Sequence, residues 1–335
     1  MANEKKVARE PSFILALIPI VAMIGFMLYC FRGSSVTEYH DAHLPLVMSI
    51  IVACIVGAIC GHSFKEMLAG MIERLSASME AVLILCTVGF LVTSFMGSGA
   101  IPSMIVYGLD LLTPKLFLPI GCILCAIVGM ACGSSWTTTA TIGLAFLGIG
   151  AGLGINPAIT AGMIISGAYV GDKFSPLSDT TNLAAAVAET GLFDHVTAMV
   201  STTGPTLLLS LILYTILGLN VDTSAYDATV AEGIQEAFRS AFTISPILLL
   251  PIIVVIVMCI LRVPGLVGIA VSVATAVLFM LIFQSTDIFY SYSLGDIFDV
   301  LHYGHAVETG NAVADSILGK AKGMDGMMWT INLIL

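Results

Sequence analysis

GDKFSPLSDTTNLA, residues Gly171 to Ala184, is the stretch that decides how this chain is interpreted. It carries Asp172, Lys173 and Asp179 together with a run of hydroxyl side chains, yet apolar segments flank it on both sides. A charged side chain at the centre of a bilayer costs several kcal/mol on most estimates, so acids inside membrane segments mark ion or proton pathways. The stretch therefore predicts a polar site inside a membrane protein.

The composition of the whole chain supports that interpretation. Of its 335 residues, 58% are hydrophobic and 10% are charged, whereas soluble domains carry about 25% charged residues. Repeated apolar windows long enough to cross a bilayer predict an all-α polytopic membrane protein. The formal net charge is -10 and no basic patch occurs, so a nucleic-acid partner is excluded.

Sequence motifs typical of soluble enzymes occur here only without the structural context that they need. GIGAGLG, Gly148–Gly154, imitates a dinucleotide fingerprint but lacks a βαβ unit around it. No Walker lysine motif occurs, and the eight cysteines lie scattered in apolar segments. We expect a transporter rather than an enzyme, with no cofactor and no tightly bound metal.

The first residues predict the location of the protein and the orientation of its N-terminus. Lys5, Lys6 and Arg9 precede an apolar segment of spanning length, and no cleavable signal separates them. Positive charges beside a first membrane helix favour the cytoplasmic side. We expect a multi-pass protein of the prokaryotic inner or plasma membrane, with residues 1–11 as a cytoplasmic tail.

The opening stretch, taken here as residues 171–182, has the chemistry of a cation or proton site. Asp172 and Asp179 would share one face of an intact helix. Pro176 lacks an N–H and breaks that helix, which exposes backbone carbonyls. The predicted break involves Gly171 and Pro176. A desolvated carboxylate binds either a cation or a proton, and this competition is the physical basis of antiport. Neutral oxygens come from five further residues: Ser175, Ser178, Thr180, Thr181 and Asn182. The alternative is a surface loop in which Asp172 and Lys173 are solvated and Asp179 caps a helix.

A second segment, residues 133–154, is uncharged but dense in Gly, Ser and Thr. Irregular backbone at membrane depth is tolerated only inside protein or beside water, as in the re-entrant hairpins of transporters. One reading is a hairpin tip that offers polar groups to a substrate. The other is tight helix packing with hydroxyls bonded back to their own helix. The candidate residues are Gly133, Ser134, Ser135, Thr137 and Thr138.

A weak internal repeat organises the chain. LALIPIVAMIGFMLYCFR (15–32) resembles LLLPIIVVIVMCILR (248–262), and two shorter stretches follow in the same order. We therefore expect a first transmembrane repeat over 12–219, an acidic loop over 220–243 and an incomplete second repeat over 244–335. The second copy ends before any counterpart of the two irregular segments, so we expect a product that is C-terminally truncated.

The run GDKFSPLSDTTN, preceded by GSSWTTTATIGLAFLGIGAGLG, resembles the signature of NhaC-type sodium/proton antiporters of the ion transporter superfamily. The resemblance implies an inverted-repeat secondary transporter with broken or re-entrant helices. It implies exchange of sodium, or lithium, for protons across the bilayer, with Na+ only as a transported ion. The family also includes organic anion exchangers such as malate/lactate antiporters, so a small carboxylate substrate stays open. Two further alternatives stay open: that the chain is an inactive fragment, and that it forms a homo-oligomer.

Overall fold

In the computed structural model the described residues are 9–32, 42–175, 178, 180–181, 184–185, 188–221, 228–261, 263–284, 294–304, 307–319 and 321–334. Within these ranges the backbone forms helices, turns and bends and no strand. Several of the helices are long and apolar. The prediction of an all-α polytopic membrane protein is therefore confirmed.

Among the described residues, two helices are not α-helical. A π-helix covers Thr139–Gly143 and a 3-10 helix covers Pro246–Leu249. The α-helices are α1 (Phe13–Arg32), α2 (His43–Ile59), α3 (Phe64–Gly97), α4 (Ala100–Leu111), α5 (Pro114–Cys132), α6 (Ser135–Thr138), α7 (Leu144–Gly152), α8 (Pro157–Phe174), α9 (Leu192–Leu219), α10 (Ala228–Ala241), α11 (Leu250–Ile260), α12 (Gly265–Phe283), α13 (Leu294–Tyr303), α14 (Ala312–Leu318) and α15 (Gly323–Ile334).

Among the described residues, 3 helices are long and apolar enough to cross a membrane, namely Phe13–Phe31, Leu192–Leu219 and Leu266–Phe283. The number rises to 5 if each of two bent pairs is one span. Val82–Gly97 and Ala100–Leu111 meet at 62°, and Thr229–Ala241 and Pro246–Met258 meet at 89°. Both bends lie outside the segments 133–154 and 171–182, where the sequence led us to expect interrupted helices.

The chain divides into two compact units, one of residues 1–83 with 328–335 and one of residues 84–327. In the first unit α1 packs against α2. Phe13, Val21 and Tyr29 of α1 are exposed. Large apolar side chains on the outside of a spanning helix face lipid in a membrane protein. This unit therefore presents its apolar surface to the bilayer.

The second unit holds the main core. Its largest fully buried side chains include Phe95, Phe117, Phe146 and Phe238, and the rings of Phe117 and Phe146 meet edge to face at 5.9 Å. The stretch 220–243, which we predicted as an acidic loop, contains α10. That helix buries Ile234 and Phe238 against the core and turns its charged residues outward.

Thr309 holds the carboxylate of Asp315 at the start of α14, outside the apolar helices. Its hydroxyl and its N–H both donate to Asp315 Oδ1 at 2.7 Å. The hydroxyl first, and then the backbone N–H, lower the pKa of Asp315 below its ordinary value. Because a depressed folded pKa stabilises the fold above the unfolded pKa, this contribution is lost as pH falls through the folded value.

Thr309→Val is expected to raise the pKa of Asp315 toward its ordinary value, because the variant removes the larger of the two donors. The carboxyl carbon shift of Asp315, followed by NMR across acidic pH, measures the change. Thr275→Val, whose hydroxyl bonds only to Val271 O within α12, is the control. An unchanged titration of Asp315 in Thr309→Val would contradict the assignment.

Candidate functional site

The site is built on two parallel helices, α5 and α8. A Cβ on Gly121 would meet the side chain of Met163, one on Gly167 would meet Cys122 O, and one on Gly171 would meet Ala126 O. The contacts advance along both helices together, so α5 and α8 run in the same direction. Their C-terminal ends therefore lie at the same end of the pair.

Glycine sets the distance between these two helices. A Cβ on Gly129 would lie 2.7 Å from Ala168 O, and a Cβ on Gly171 would lie 2.7 Å from Met130 N. Backbone contacts this close exclude any side chain, as at the small-residue interfaces of membrane helices. The sequence already showed the signal as GAYVG (Gly167–Gly171) and GMACG (Gly129–Gly133), which we did not use as packing motifs.

Asp172 lies in the last turn of α8, and its side chain is 4% exposed. The helix ends at Phe174, and Ser175 has φ -82 and ψ 123. Proline follows Ser175 in the sequence, and a residue before proline is pushed out of the helical region. The backbone thus leaves the helix directly after the buried carboxylate.

Gly133 and Ser134 reverse the chain at the end of α5. Gly133 has φ 63, the left-handed conformation common at helix ends, and its N–H donates to Gly129 O. Ser134 is extended, and its hydroxyl accepts from Thr137 N, so Ser134 caps α6. The segment predicted as irregular over 133–154 is therefore helical from Ser135 to Gly152, with the π-helix in its middle.

This helical segment runs back along α8 in the opposite direction. A Cβ on Gly143 would lie 2.7 Å from Ile164 Cγ2, and one on Gly150 would lie 2.6 Å from Thr160 Oγ1. At its other end Ser135 meets Asp172, because Ser135 Oγ donates to Asp172 Oδ2 at 3.4 Å. The two segments that the sequence singled out therefore meet at one buried contact. A π-helix is a frequent companion of functional sites.

Hydroxyls from the chain after α8 return to Asp172. Thr181 Oγ1 donates to the carbonyl of Asp172 at 3.3 Å, and Ser175 N donates to the same carbonyl at 3.2 Å. Thr181 N donates in turn to Ser178 Oγ at 3.4 Å. Ser175, Ser178 and Thr181 are all buried. Thr181 and Ser175 therefore bond to the backbone carbonyl of Asp172, and Ser178 bonds to Thr181.

Lys173 lies next to Asp172 in sequence but bonds elsewhere. Its Nζ donates to Thr180 Oγ1 at 3.2 Å, and Thr180 Oγ1 shares a hydrogen bond of 3.0 Å with Ser178 Oγ. Thr180 itself is exposed. The ammonium of Lys173 thus holds the loop after α8 rather than pairing with Asp172. Pro176, Asp179 and Asn182, which the sequence also assigns to the site, lie outside the described residues.

Most threonines of the second segment bond within their own helix. Thr138 Oγ1 donates to Ser134 O, Thr139 Oγ1 to Ser135 O and Thr141 Oγ1 to Thr137 O. This is the back-bonding alternative that the sequence left open. Thr137 Oγ1 donates to Ser134 Oγ. Ser135 differs from these residues, because its hydroxyl crosses to another helix.

The geometry makes the site electronegative. The C-terminal ends of α5 and α8 lie together, and the last carbonyls of a helix lack internal partners and carry partial negative charge. Asp172 adds a carboxylate at the same place, with the Ser135 hydroxyl beside it, and the Thr181 hydroxyl lies against the backbone carbonyl of Asp172. Helix C-termini of broken helices coordinate Na+ or protons in secondary transporters. The arrangement can hold a hard monovalent cation or a proton.

Comparisons with known proteins agree with this chemistry. A model of the Na+/H+ antiporter family matches residues 167–335. The chain is 33% identical over 313 residues to the Na+/H+ antiporter NhaC of Alkalihalophilus pseudofirmus, covering 93% of the chain and 66% of the relative. It is 33% identical over 329 residues to the arginine/ornithine antiporter ArcD of Halobacterium salinarum, covering 97% and 66%.

A third relative is the malate-2H+/Na+-lactate antiporter of Bacillus subtilis, which is 31% identical over 319 residues, covering 95% of the chain and 67% of the relative. The chain thus spans about two thirds of the length of these relatives. No solved structure matches the chain.

Proposed function

Since the chain belongs to the NhaC-type Na+/H+ antiporter family, we propose that it serves secondary exchange of sodium, or lithium, for protons across a membrane. The observation that carries the proposal is the meeting of two parallel helix C-termini on the buried carboxylate of Asp172. Such a site attracts a monovalent cation from one side and a proton from the other. Both ions would bind the carboxylate of Asp172, so they compete for it.

In this proposal the carboxylate of Asp172 binds sodium and a proton in turn. Ser135 supplies a hydroxyl to its carboxylate and Thr181 a hydroxyl to its backbone carbonyl, while Ser178 and Thr180 bond to each other. Gly133 and Ser134 place Ser135 by ending α5 and starting α6. Pro176, Asp179 and Asn182 remain members of the site on sequence grounds alone. Thr137 and Thr138 shape the segment through bonds inside it.

The domain plan of two repeats, 12–219 and 244–335, is part of the same proposal. Each repeat opens with a packed pair of helices, α1 with α2 and α11 with α12. Pro19 lies inside α1, and its counterpart Pro251 lies in the first turn of α11. We place the N-terminus in the cytoplasm, since Lys5, Lys6 and Arg9 precede α1.

Proteoliposomes test the proposed exchange. The chain is reconstituted with an acidic interior, and internal pH is followed with a trapped dye while sodium is added outside. We expect sodium to collapse the proton gradient, lithium to act more weakly and potassium to leave it unchanged. Protein-free liposomes are the control. A gradient that persists in sodium, with correctly folded protein present, would overturn the proposal.

The relatives also name carboxylate and amino-acid substrates, so these are measured in the same vesicles. A carboxylate substrate needs a fixed cation or a helix N-terminus to bind it, and Lys173, the cation nearest to Asp172 in sequence, donates to Thr180 Oγ1. Uptake of labelled malate, lactate or arginine that depends on an ion gradient would replace sodium/proton exchange as the function.

Ser135→Ala is expected to weaken sodium binding about fivefold, since one hydroxyl ligand is worth roughly 1 kcal/mol. The apparent KM for sodium should rise, while the maximal rate should change little. Ser94→Ala is the matched control, because the Ser94 hydroxyl is buried and bonds only to Leu91 O of its own helix. Equal KM values in Ser135→Ala and the parent chain would remove Ser135 from the site.

A further inference from the structure

A single buried side chain, Gln284, joins the two places where helices bend. Gln284 follows α12 and is 8% exposed. Its Nε2 donates to Ser98 O at 3.0 Å and to Thr243 O at 3.2 Å, and its Oε1 accepts from Thr243 N at 2.9 Å. Ser98 lies at the 62° bend between α3 and α4, and Thr243 at the 89° bend after α10.

Both bends contain backbone groups that no helix satisfies. The carbonyl of Ser98 would normally accept from the residue four positions later, but that residue is Pro102, which has no N–H. Thr243 lies in the non-helical link between α10 and the 3-10 helix that begins at Pro246, so its backbone groups need partners outside a helix. Backbone groups left unpaired in an apolar interior are strongly unfavourable. The amide of Gln284 satisfies both carbonyls and one N–H as a peptide group would.

Gly99 leaves the space that this amide occupies. Gly99 has φ 80 in the left-handed region, and a Cβ there would collide with Gln284 Nε2 and lie 3.1 Å from Thr243 O. Thr243 is further fixed by its hydroxyl, which donates to Phe283 O at 2.9 Å. The two bends and the end of α12 therefore meet around one amide. All of these groups belong to the unit of residues 84–327.

We propose that Gln284 couples the two bends, so that the bent helices α3–α4 and α10–α11 change their angles together. If the angle at either bend changes, the hydrogen bonds of the Gln284 amide break. The backbone groups at the other bend then lose their partner as well. The coupling concerns this fold alone and does not depend on which substrate the protein carries. Its effect on transport would be that exposure of the site to each side involves both bent helices.

Hydrogen exchange of the full chain in lipid nanodiscs tests the coupling. Peptides over 96–104 and 240–248 report the two bends, and a peptide over 200–215 in α9 is the reference. Gln284→Met keeps the length of the side chain and removes all three hydrogen bonds. We expect exchange about tenfold faster at both bends and unchanged exchange in the reference. Faster exchange at only one bend would overturn the proposal.

Gly99→Ala is a second variant that disturbs the Gln284 amide, here from the bend between α3 and α4. The new methyl group displaces Gln284 but also lies 3.1 Å from Thr243 O, so the substitution is made both in the parent chain and in Gln284→Met. We expect Gly99→Ala to speed exchange at 240–248 in the parent chain and to add little in Gln284→Met, whereas an equal rise in both would refute the coupling. Ser272→Ala on α12 is the matched control, because the buried Ser272 hydroxyl bonds only to Gly268 O. A rise of equal size in the reference peptide would mean general loosening and would equally refute the coupling.

Discussion

Asp172→Asn is expected to lower sodium-dependent proton exchange about 100-fold, to near the level of protein-free vesicles. Asparagine keeps the shape of the side chain and its contact with Ser135, but it carries no charge and binds no proton at neutral pH. A buried cation then loses its counter-charge, and the exchange loses the group on which sodium and protons compete. Initial rates of dye response in proteoliposomes measure the effect.

Asp194→Asn is the matched control for Asp172→Asn. Asp194 is exposed in the first turn of α9, so its neutralisation should leave exchange unchanged. Circular dichroism and thermal melting of both variants show whether the fold is kept. Asp172→Glu should keep part of the activity, since it retains the carboxylate but shifts it by one methylene group. Normal exchange in a folded Asp172→Asn variant would show that the ion binds elsewhere.

Gly171→Ala is expected to lower the free energy of unfolding by about 3 kcal/mol, the upper range for overpacking a close interface. The added Cβ would meet Ala126 O and lie 2.7 Å from Met130 N and 2.9 Å from Gly129 C. These are backbone atoms of α5, so no side chain can rotate away, and α5 and α8 must separate. Unfolding in mixed micelles with increasing SDS, followed by circular dichroism, measures the loss.

Gly162→Ala gives the matched comparison on the same helix. The nearest atom to a Cβ at Gly162 is Tyr214 Oη at 3.6 Å, an ordinary contact. Alanine favours a helix over glycine by about 1 kcal/mol, so this variant should be neutral or more stable than the parent. The two identical substitutions should therefore change stability in opposite directions. A Gly171→Ala variant as stable as Gly162→Ala would contradict the close approach of α5 and α8.

The membrane class and the burial of Asp172 could be predicted from sequence. Composition alone identifies a helical membrane protein, and the charge at Asp172 among apolar neighbours identifies a buried carboxylate. The direction of α5 relative to α8 could not be predicted, because it depends on which glycines face one another. The π-helix at Thr139–Gly143 also has no local signal in the sequence, since it is a change of register within an otherwise ordinary helix.

Two features were missed although the sequence carried a signal. Acidic residues led us to predict a loop over 220–243, whereas Ala231, Ile234, Phe238 and Phe242 recur at the spacing of one helical face and are buried. The second feature is the role of Gln284 at the two bends. Its contact with Ser98 could be anticipated only by asking which carbonyl Pro102 leaves without a helical donor.

The glycine contacts between α5 and α8 determine what a saturation scan of this protein would report. Gly129, Gly167 and Gly171 carry no side chain that could bind an ion, yet a Cβ at each would lie 2.7 Å or less from an atom of the neighbouring helix. Substitution there should abolish function as fully as substitution of the carboxylate itself. The positions that tolerate no substitution would therefore lie along the contact between α5 and α8 rather than around the bound ion. The amount of folded protein recovered for each variant would distinguish residues that hold the helices together from residues that bind the ion.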